Sequence, residues 1–143
     1  NLSPLLTPSL LFGLSKMGHG DWLALVDANF PAHRVAGEAG AELIEMPGLS
    51  TTSVLDAVMS VFPLDTFESP SSVSMQVVGD VDQIPAPVSE FKLTLASQGE
   101  AAPEAIERFA FYELARSARV IVQTGDLRKY ANILLRKGVI SID

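Results

Sequence analysis

The sequence contains no cysteine among its 143 residues. This absence excludes disulfide bonds, thiol nucleophiles, iron–sulfur clusters and every zinc site built on cysteine, and it is typical of a reducing compartment. The chain also lacks an apolar run approaching the roughly 18 residues of a membrane-spanning helix. It begins at Asn1 without the basic segment that opens a signal peptide. We therefore expect a cytoplasmic protein with no membrane segment.

Charged residues are scarce, at 19% of the chain against about 25% in an average domain. Basic residues are the scarcer kind, with ten Lys and Arg against 17 Asp and Glu and a net charge of −7. A negative field repels phosphate backbones and anionic membrane surfaces, so nucleic acid is not an expected partner. The sequence also has no glycine-rich phosphate-binding motif, and nucleotide cofactors have no support.

Hydrophobic residues, in contrast, make up 48% of the chain, and the mean hydropathy is +0.28. Interface cores are depleted in charge, so part of this apolar excess is expected between subunits. The composition therefore favours a homo-oligomer. The alternative is a monomer with a core rich in Ala, Leu and Val.

Short apolar runs predict the strands, and the length suits one domain over residues 1–143 with one core. Wholly apolar runs indicate buried strands, and alternation or a weaker apolar pattern indicates the others. The predicted strands are residues 22–26, 41–46, 120–122 and 133–135, together with the alternating Val73, Met75 and Val77.

Helix signals lie between these strands. Thr7 is a predicted N-cap, Pro8 takes the first helical position, and Gly18 follows the last apolar residue of the helix face. A second helix begins at one of the hydroxyl residues at positions 50–52 and is stopped by Pro63. Both helices carry apolar residues at the spacing of one face.

Two later segments complete the predicted helices. Residues 88–97 fit both strand alternation and one helix face, and we favour the helix. Residues 108–118 form a firmer predicted helix. Strands interleaved with helices, with polar loops at the strand ends, predict an α/β fold: a three-layer α/β/α sandwich that binds ligands at the carboxyl ends of its strands.

Both histidines of the chain fall within a stretch of 15 residues. His19 stands between Gly18 and Gly20, and His33 follows a polar loop. Imidazole both donates and accepts protons near neutral pH, and flanking glycines let a ligand approach the backbone closely. His19 is therefore a candidate acid–base residue. The alternative is an ordinary loop histidine.

Other polar residues stand at predicted element ends. Asp27 directly follows a buried strand, where its carboxylate is able to accept two hydrogen bonds from a sugar or alcohol. Its alternative role is that of a turn or helix-cap residue. Arg108, Tyr130 and Asn132 offer donors, acceptors and an aromatic face, a combination that suits a neutral polyol better than a phosphate.

A metal site is a further alternative. His19, Asp21, Asp27 and His33 include nitrogen and oxygen ligands suited to zinc, manganese or iron. Their spacing matches no compact ligand motif such as H-E-x-x-H. We therefore expect no metal at the site.

Four sequence blocks resemble the bacterial L-fucose mutarotase and D-ribose pyranase family. They occur in family order and span nearly the whole chain, although residues 81–105 carry no family signature. The arginine at position 108 and the Phe-Ala-Phe-Tyr-Glu that follows it resemble the fucose branch, since the ribose branch has a histidine there. The blocks are Met17-Gly18-His19-Gly20-Asp21, residues 27–33, residues 107–113, and Thr124-Gly125 with Tyr130-Ala131-Asn132-Ile133.

The resemblance implies a ribose-pyranase-like fold and a cofactor-independent sugar mutarotase, an isomerase, with L-fucose as the expected substrate. It implies His19 as proton donor, with Asp27, Arg108, Tyr130 and Asn132 around the monosaccharide. It also implies a ring assembly, commonly a decamer of two stacked pentamers. The alternatives are a D-ribose pyranase, a non-catalytic monosaccharide-binding accessory protein, and a structural ring. The general base stays open between Asp27, a bound water and the same histidine.

The spacing of His19 and Asp27 poses a geometric question. Residues 22–26 between them are predicted to be extended and span roughly 16 Å, which is longer than a monosaccharide. Either residues 19–21 fold back, or two subunits contribute to one site. We favour a site shared between chains, with His19 or residues 130–132 supplied by a neighbour.

Overall fold

The structure is a computed structural model that describes residues 1–142. Over this part of the chain it has five helices and six strands. In chain order they are α1 (Pro8–Lys16), β1 (Trp22–Val26), α2 (Ala32–Ala39), β2 (Glu42–Met46), α3 (Thr51–Met59), β3 (Ser72–Met75), α4 (Ala86–Ser97), β4 (Glu104–Ile106), α5 (Arg108–Ala115), β5 (Ala118–Thr124) and β6 (Ile133–Arg136).

The strands form one mixed sheet in the order β2-β5-β1-β6-β3-β4. β2, β5 and β1 run parallel, β6 runs antiparallel to both of its neighbours, and β4 runs parallel to β3. All five residues of β1 are buried. A strand covered on both faces must be apolar on both faces, which is why a continuous apolar run predicted it.

Helices cover both faces of the sheet. One apolar cluster joins α1, α3 and α4 to the sheet through residues such as Leu10, Leu55 and Phe91. The other joins α2 and α5 to the opposite face through residues such as Val35 and Phe111. The predicted three-layer α/β/α sandwich is confirmed. No helix within residues 1–142 is long and apolar enough to cross a membrane.

Several element ends differ from the sequence prediction, and three of these differences have a clear structural reason or partner. The last helix stops at Ala115, because the chain turns there and Ala118 pairs with Trp22 as the start of β5. α3 ends at Met59, before the stop that Pro63 predicted. β3 ends before Val77, which makes only an isolated bridge to Asp80.

The sequence pattern did not predict two of the elements, α2 and β4. It favoured a helix for a third segment, and that prediction is confirmed. α2 has eight residues and buries only Ala32, Val35 and Ala36, so its apolar stripe is short and built mainly from alanine. β4 has three residues and only Ile106 is partly buried, which is too short for a periodic pattern. The segment at residues 88–97 is helical, as we favoured, and belongs to α4.

The antiparallel pairing of β1 with β6 places the polar residues at the two ends of these strands. Leu25 lies opposite Ile133, so Asp27 and Asn132 meet just beyond one end. At the other end, the Lys137 N–H donates to the Asp21 carbonyl at 2.8 Å. The central strands therefore present two separate polar sites.

Candidate active site

Four of the five predicted site residues lie around one cavity of about 180 Å³. Asp27 follows β1, Arg108 begins α5, and Tyr130 and Asn132 precede β6. The other lining residues are Asn29, Phe30, Met75, Val78, Tyr112 and Lys129. Polar groups from three separate elements thus converge on a small space at the carboxyl end of β1, where α/β folds bind ligands.

Asp27 is held in place by short hydrogen bonds. Its N–H donates to Asn132 Oδ1 at 2.8 Å, and its own Oδ1 accepts the N–H groups of Asn29 at 3.0 Å and Phe30 at 2.8 Å. Burial raises the pKa of the Asp27 carboxyl, although hydrogen bonds from Asn29, Phe30, Asn132 and Ala131 oppose the effect. Asp27 is therefore a turn residue and a pocket residue at once, with a carboxyl that binds a proton more readily than usual.

Arg108 has unused hydrogen-bonding capacity. The side chain of Glu107 caps α5 by accepting the N–H groups of Phe109 and Ala110. The Arg108 side chain takes no part in these cap hydrogen bonds. The guanidinium carbon lies 4.6 Å from the centre of the Phe109 ring. Its Nε is buried and has no hydrogen-bond partner among the described residues. A buried donor without a partner is costly, so a ligand oxygen at this point stabilises it.

Tyr130 has a strained backbone. It is the one non-glycine residue within residues 1–142 with a positive φ, 63°. Its hydroxyl accepts the Val78 N–H at 3.0 Å, which fixes the ring against the segment after β3. Side chains with a Cβ avoid this conformation unless surrounding contacts hold it, and such positions cluster at functional sites.

The loop before β6 is anchored at several points. Thr51 donates through its hydroxyl to the Ala131 carbonyl at 2.8 Å. Arg128 forms hydrogen bonds with both carboxylate oxygens of Asp126, each at 3.0 Å, and with Glu90 on α4 at 2.6 and 3.0 Å. These carboxylates raise the pKa of Arg128. The network holds the chain on either side of Tyr130 and Asn132 in a defined position.

His19, the fifth predicted residue, lies away from this cavity. It precedes β1, and its Nε2 is 3.1 Å from Asp65 Oδ1. Its ring packs edge-on against Phe67, with the ring centres 5.3 Å apart. The side chain of His19 is 47% exposed, whereas that of Asp65 is 1% exposed. The chain turns at residues 18–21, where the Asp21 N–H donates to the Gly18 carbonyl at 3.1 Å. This turn leaves His19 at the amino end of β1, whereas Asp27 follows the carboxyl end of the same strand.

Asp65 is a partner that the sequence did not reveal. Its Oδ1 accepts the Phe67 N–H at 2.9 Å, and this bond, together with His19 and Arg136, holds the pKa of Asp65 below its usual value. An ionised carboxylate accepts, so the Nε2 nitrogen of His19 carries the proton of this hydrogen bond. No motif links two residues 46 positions apart, so only the fold reveals the pair.

The four residues of the metal alternative are not brought together. His33 Nε2 lies 2.6 Å from Glu45 Oε1, and Asp21 Oδ2 accepts the Gly18 N–H at 2.8 Å. Among residues 1–142, no three His, Asp or Glu side chains are grouped to hold a metal ion.

A larger cavity of about 540 Å³ lies at the amino end of β5 and contains no predicted site residue. Lys16 and Glu42 on its wall form an ion pair at 3.2 Å.

The layered fold and the pocket at its strand ends define a small α/β protein with a polar pocket beside its central strand. The chain belongs to the RbsD / FucU transport protein family, whose sequence profile matches residues 1–140. This match confirms the resemblance seen in the four sequence blocks.

Individual relatives are similar over nearly their whole length. The chain is 41% identical to the fucose mutarotase of Homo sapiens over 143 residues, which covers 97% of this chain and 92% of the human protein. The fucose mutarotase from Streptococcus pneumoniae, whose crystal structure was solved in complex with L-fucose, is 34% identical to this chain, with a TM-score of 0.90 and 99% of both chains covered. RbsD of Bacillus subtilis, solved with D-ribose, shares the fold with a TM-score of 0.73 at 21% identity.

Proposed function

We propose that this protein is a sugar mutarotase that interconverts the anomers of free L-fucose. The observation that carries the proposal is the convergence of Asp27, Arg108, Tyr130 and Asn132 on one small cavity. The similarity to fucose mutarotases over nearly the whole chain supports L-fucose as the sugar. The proposed reaction is an isomerisation that uses side chains alone.

The chemistry requires only proton transfers. An acid protonates the ring oxygen of the sugar while a base takes the proton of the anomeric hydroxyl, and the bond between the anomeric carbon and the ring oxygen breaks. The free aldehyde rotates and closes on its other face, and both proton transfers reverse. Positioned acid–base groups accelerate such steps by about 10² to 10⁴-fold.

The described residues divide these roles between the two polar sites. Arg108, Tyr130 and Asn132 offer donors and acceptors to the sugar hydroxyls. Asp27 is a candidate base, because its raised pKa brings it closer to the working pH. His19 is the proton donor of the proposal. Since its Nε2–H donates to Asp65, Nδ1 is the nitrogen that gives a proton to the sugar, and it carries that proton only when the ring is in the imidazolium form.

We further propose that His19 of one subunit completes the pocket of a neighbouring subunit. Each site has an exposed aromatic ring beside it: Phe67, 72% exposed, touches His19, and Phe109, 65% exposed, lies next to Arg108. Contact between two different surfaces repeats head to tail, and it forms a closed ring when the rotation between neighbouring subunits closes. A decamer of two stacked pentamers and a cytoplasmic location are further parts of the proposal, supported by the family resemblance and the absence of cysteine.

Saturation-transfer NMR tests the activity directly. The exchange rate between the α and β signals of L-fucose is measured with and without protein, and we expect the protein to increase it. A chain that shifts the sugar signals on binding but leaves the exchange rate unchanged is a binding protein and not a mutarotase. A larger acceleration for D-ribose than for L-fucose would assign the chain to the pyranase alternative.

Mixing two inactive variants tests the shared site. His19→Ala chains retain an intact pocket, and Asn132→Ala chains retain an intact histidine. If neighbours share a site, rings assembled from an equal mixture contain about one quarter wild-type interfaces and regain a corresponding fraction of activity. No recovery, in rings shown to be mixed by native mass spectrometry, would contradict a site shared between subunits.

Arg108→His tests the sugar preference. Arginine presents a planar set of donors, and a shorter histidine loses part of this set. We expect the variant to lose about tenfold more turnover of L-fucose than of D-ribose, which corresponds to one hydrogen bond of about 1.4 kcal/mol. The turnover of both sugars is compared with that of Arg34→His, an exposed arginine on α2, as the control. Equal losses for both sugars would make Arg108 a general contact without a role in specificity.

A further inference from the structure

Lys137 is a buried lysine immediately after β6 for which the proposed reaction has no use. The residue is 8% exposed, which is uncommon for lysine. Its Nζ donates to the carbonyl oxygens of Leu14 at 3.2 Å and Met17 at 2.6 Å. These carbonyls lie at the end of α1, where the Leu14 carbonyl also accepts the Met17 N–H at 3.2 Å and the Met17 carbonyl lies beyond the last helical residue. The side chain therefore fastens the chain just before His19.

The backbone of Lys137 fastens the chain just after His19. Its carbonyl accepts the Gly20 N–H at 2.8 Å, and its N–H donates to the Asp21 carbonyl at 2.8 Å. One residue thus contacts both Met17 and residues 20–21. The position of His19 between them is set from two sides.

The same short segment also holds Asp65. The Asp65 N–H donates to the Arg136 carbonyl at 3.0 Å, and the Gly138 N–H donates to the Pro63 carbonyl at 2.8 Å. A Cβ at Gly138 would overlap the Leu64 carbonyl, so the two segments approach as closely as a glycine allows. Residues 136–138 therefore connect the segment that carries His19 to the segment that carries Asp65.

We propose that Lys137 is a positioning residue for the His19–Asp65 pair. By holding the Met17 carbonyl, its side chain fixes the direction in which residues 18–20 leave α1, and so the direction in which the His19 ring is presented. Lys137 reaches neither the sugar pocket nor the His19 ring in the described contacts. The inference rests on the proposed role of His19, because only a histidine that transfers protons makes this geometry matter for the rate.

The test compares two variants of Lys137 in the assembled protein. Lys137→Met keeps the approximate length of the side chain and removes its donors. Lys137→Gln keeps a donor on a side chain that is too short to reach both carbonyls. We expect kcat to fall by about 10- to 100-fold in Lys137→Met, as a misplacement of about 1 Å does, with KM changed less than about twofold, since the pocket is untouched. Lys137→Gln should retain more activity. The matched control is Lys16→Met, an exposed lysine at the end of the same helix, which should keep the wild-type kcat.

A second measurement reports the geometry without relying on turnover. In a His33→Gln background His19 is the only histidine, and the ¹⁵N shifts of its ring report the tautomer and the hydrogen bond to Asp65. We expect these shifts to change in Lys137→Met and to remain unchanged in Lys16→Met. If Lys137→Met does not fold, Lys137→Gln decides the question with the same two measurements. Wild-type kcat and wild-type ring shifts in a folded variant would overturn the proposal. An inactive wild-type protein would instead refute the proposed function, while the ring shifts still test the positioning.

Discussion

Replacing His19 with alanine is expected to reduce the protein-catalysed exchange of L-fucose anomers by about 10² to 10⁴-fold, the contribution of one positioned acid–base group. His19 has the features of such a group. Its Nε2 is oriented by the ionised Asp65, and the half-exposed ring leaves Nδ1 available to a sugar. The measurement is saturation-transfer NMR of L-fucose, with the unassisted rate subtracted.

The loss should occur without loss of the assembly. The imidazole of His19 packs against Phe67. When it is removed, Asp65 keeps the Phe67 N–H and Arg136 as partners. We therefore expect the oligomeric state and the thermal unfolding midpoint to change little. His33→Ala is the matched control, because His33 is exposed, pairs with Glu45 and does not line the pocket. Exchange at the wild-type rate in His19→Ala would remove His19 from the mechanism.

The parts of the fold that the sequence predicts are those in which burial imposes a pattern. β1 is covered on both faces and is apolar at every position, so its bounds are correct to the residue. α2 covers the sheet with only Ala32, Val35 and Ala36 buried, and β4 lies at the sheet edge with little buried surface. Elements that bury few side chains leave a weak pattern, and both were missed for that reason.

The candidate site divides in the same way. Asp27 stands out because it follows a buried strand, a position with a general meaning in α/β folds. Arg108, Tyr130 and Asn132 stood out as polar residues at predicted element ends, and the family resemblance placed them around the sugar. The fold shows that they share one cavity with Asp27. Asp65 and Lys137 were not predicted, because each acts on His19 through contacts between segments distant in the chain. Periodicity describes a residue's own element and carries no information on such contacts.

Replacing Asp27 with asparagine is expected to slow the exchange by about 10² to 10⁴-fold if this carboxylate is the base. The change is nearly isosteric. The asparagine oxygen is still able to accept the N–H groups of Asn29 and Phe30, so the turn after β1 should persist. The amide has no basic site near neutral pH, so the variant loses proton transfer and keeps the shape of the pocket. A matched control is Asp56→Asn, an exposed aspartate on α3 that does not line the pocket.

The pH dependence of the rate distinguishes a base from a binding residue. Burial raises the pKa of Asp27 above the ordinary aspartate value of 3.8, so the wild-type rate should fall as the pH is lowered through this raised pKa. That acid limb should be absent from the residual activity of Asp27→Asn. Each rate is corrected for the unassisted exchange at the same pH, because acid itself opens the sugar ring.

The same raised pKa has a consequence for stability with a definite sign. The folded state binds a proton at Asp27 more tightly than the unfolded state does, so this group's contribution is fully present below pH 3.8 and is lost as the pH rises through the folded pKa. Asp27→Asn should remove this decline, so its unfolding midpoint, measured relative to wild type, should improve between acidic and neutral pH.

The kinetics of Asp27→Asn separate the two roles of this residue. If the variant keeps the acid limb of the rate profile and most of kcat while KM rises, Asp27 only binds the sugar. The base is then a bound water or His19 itself.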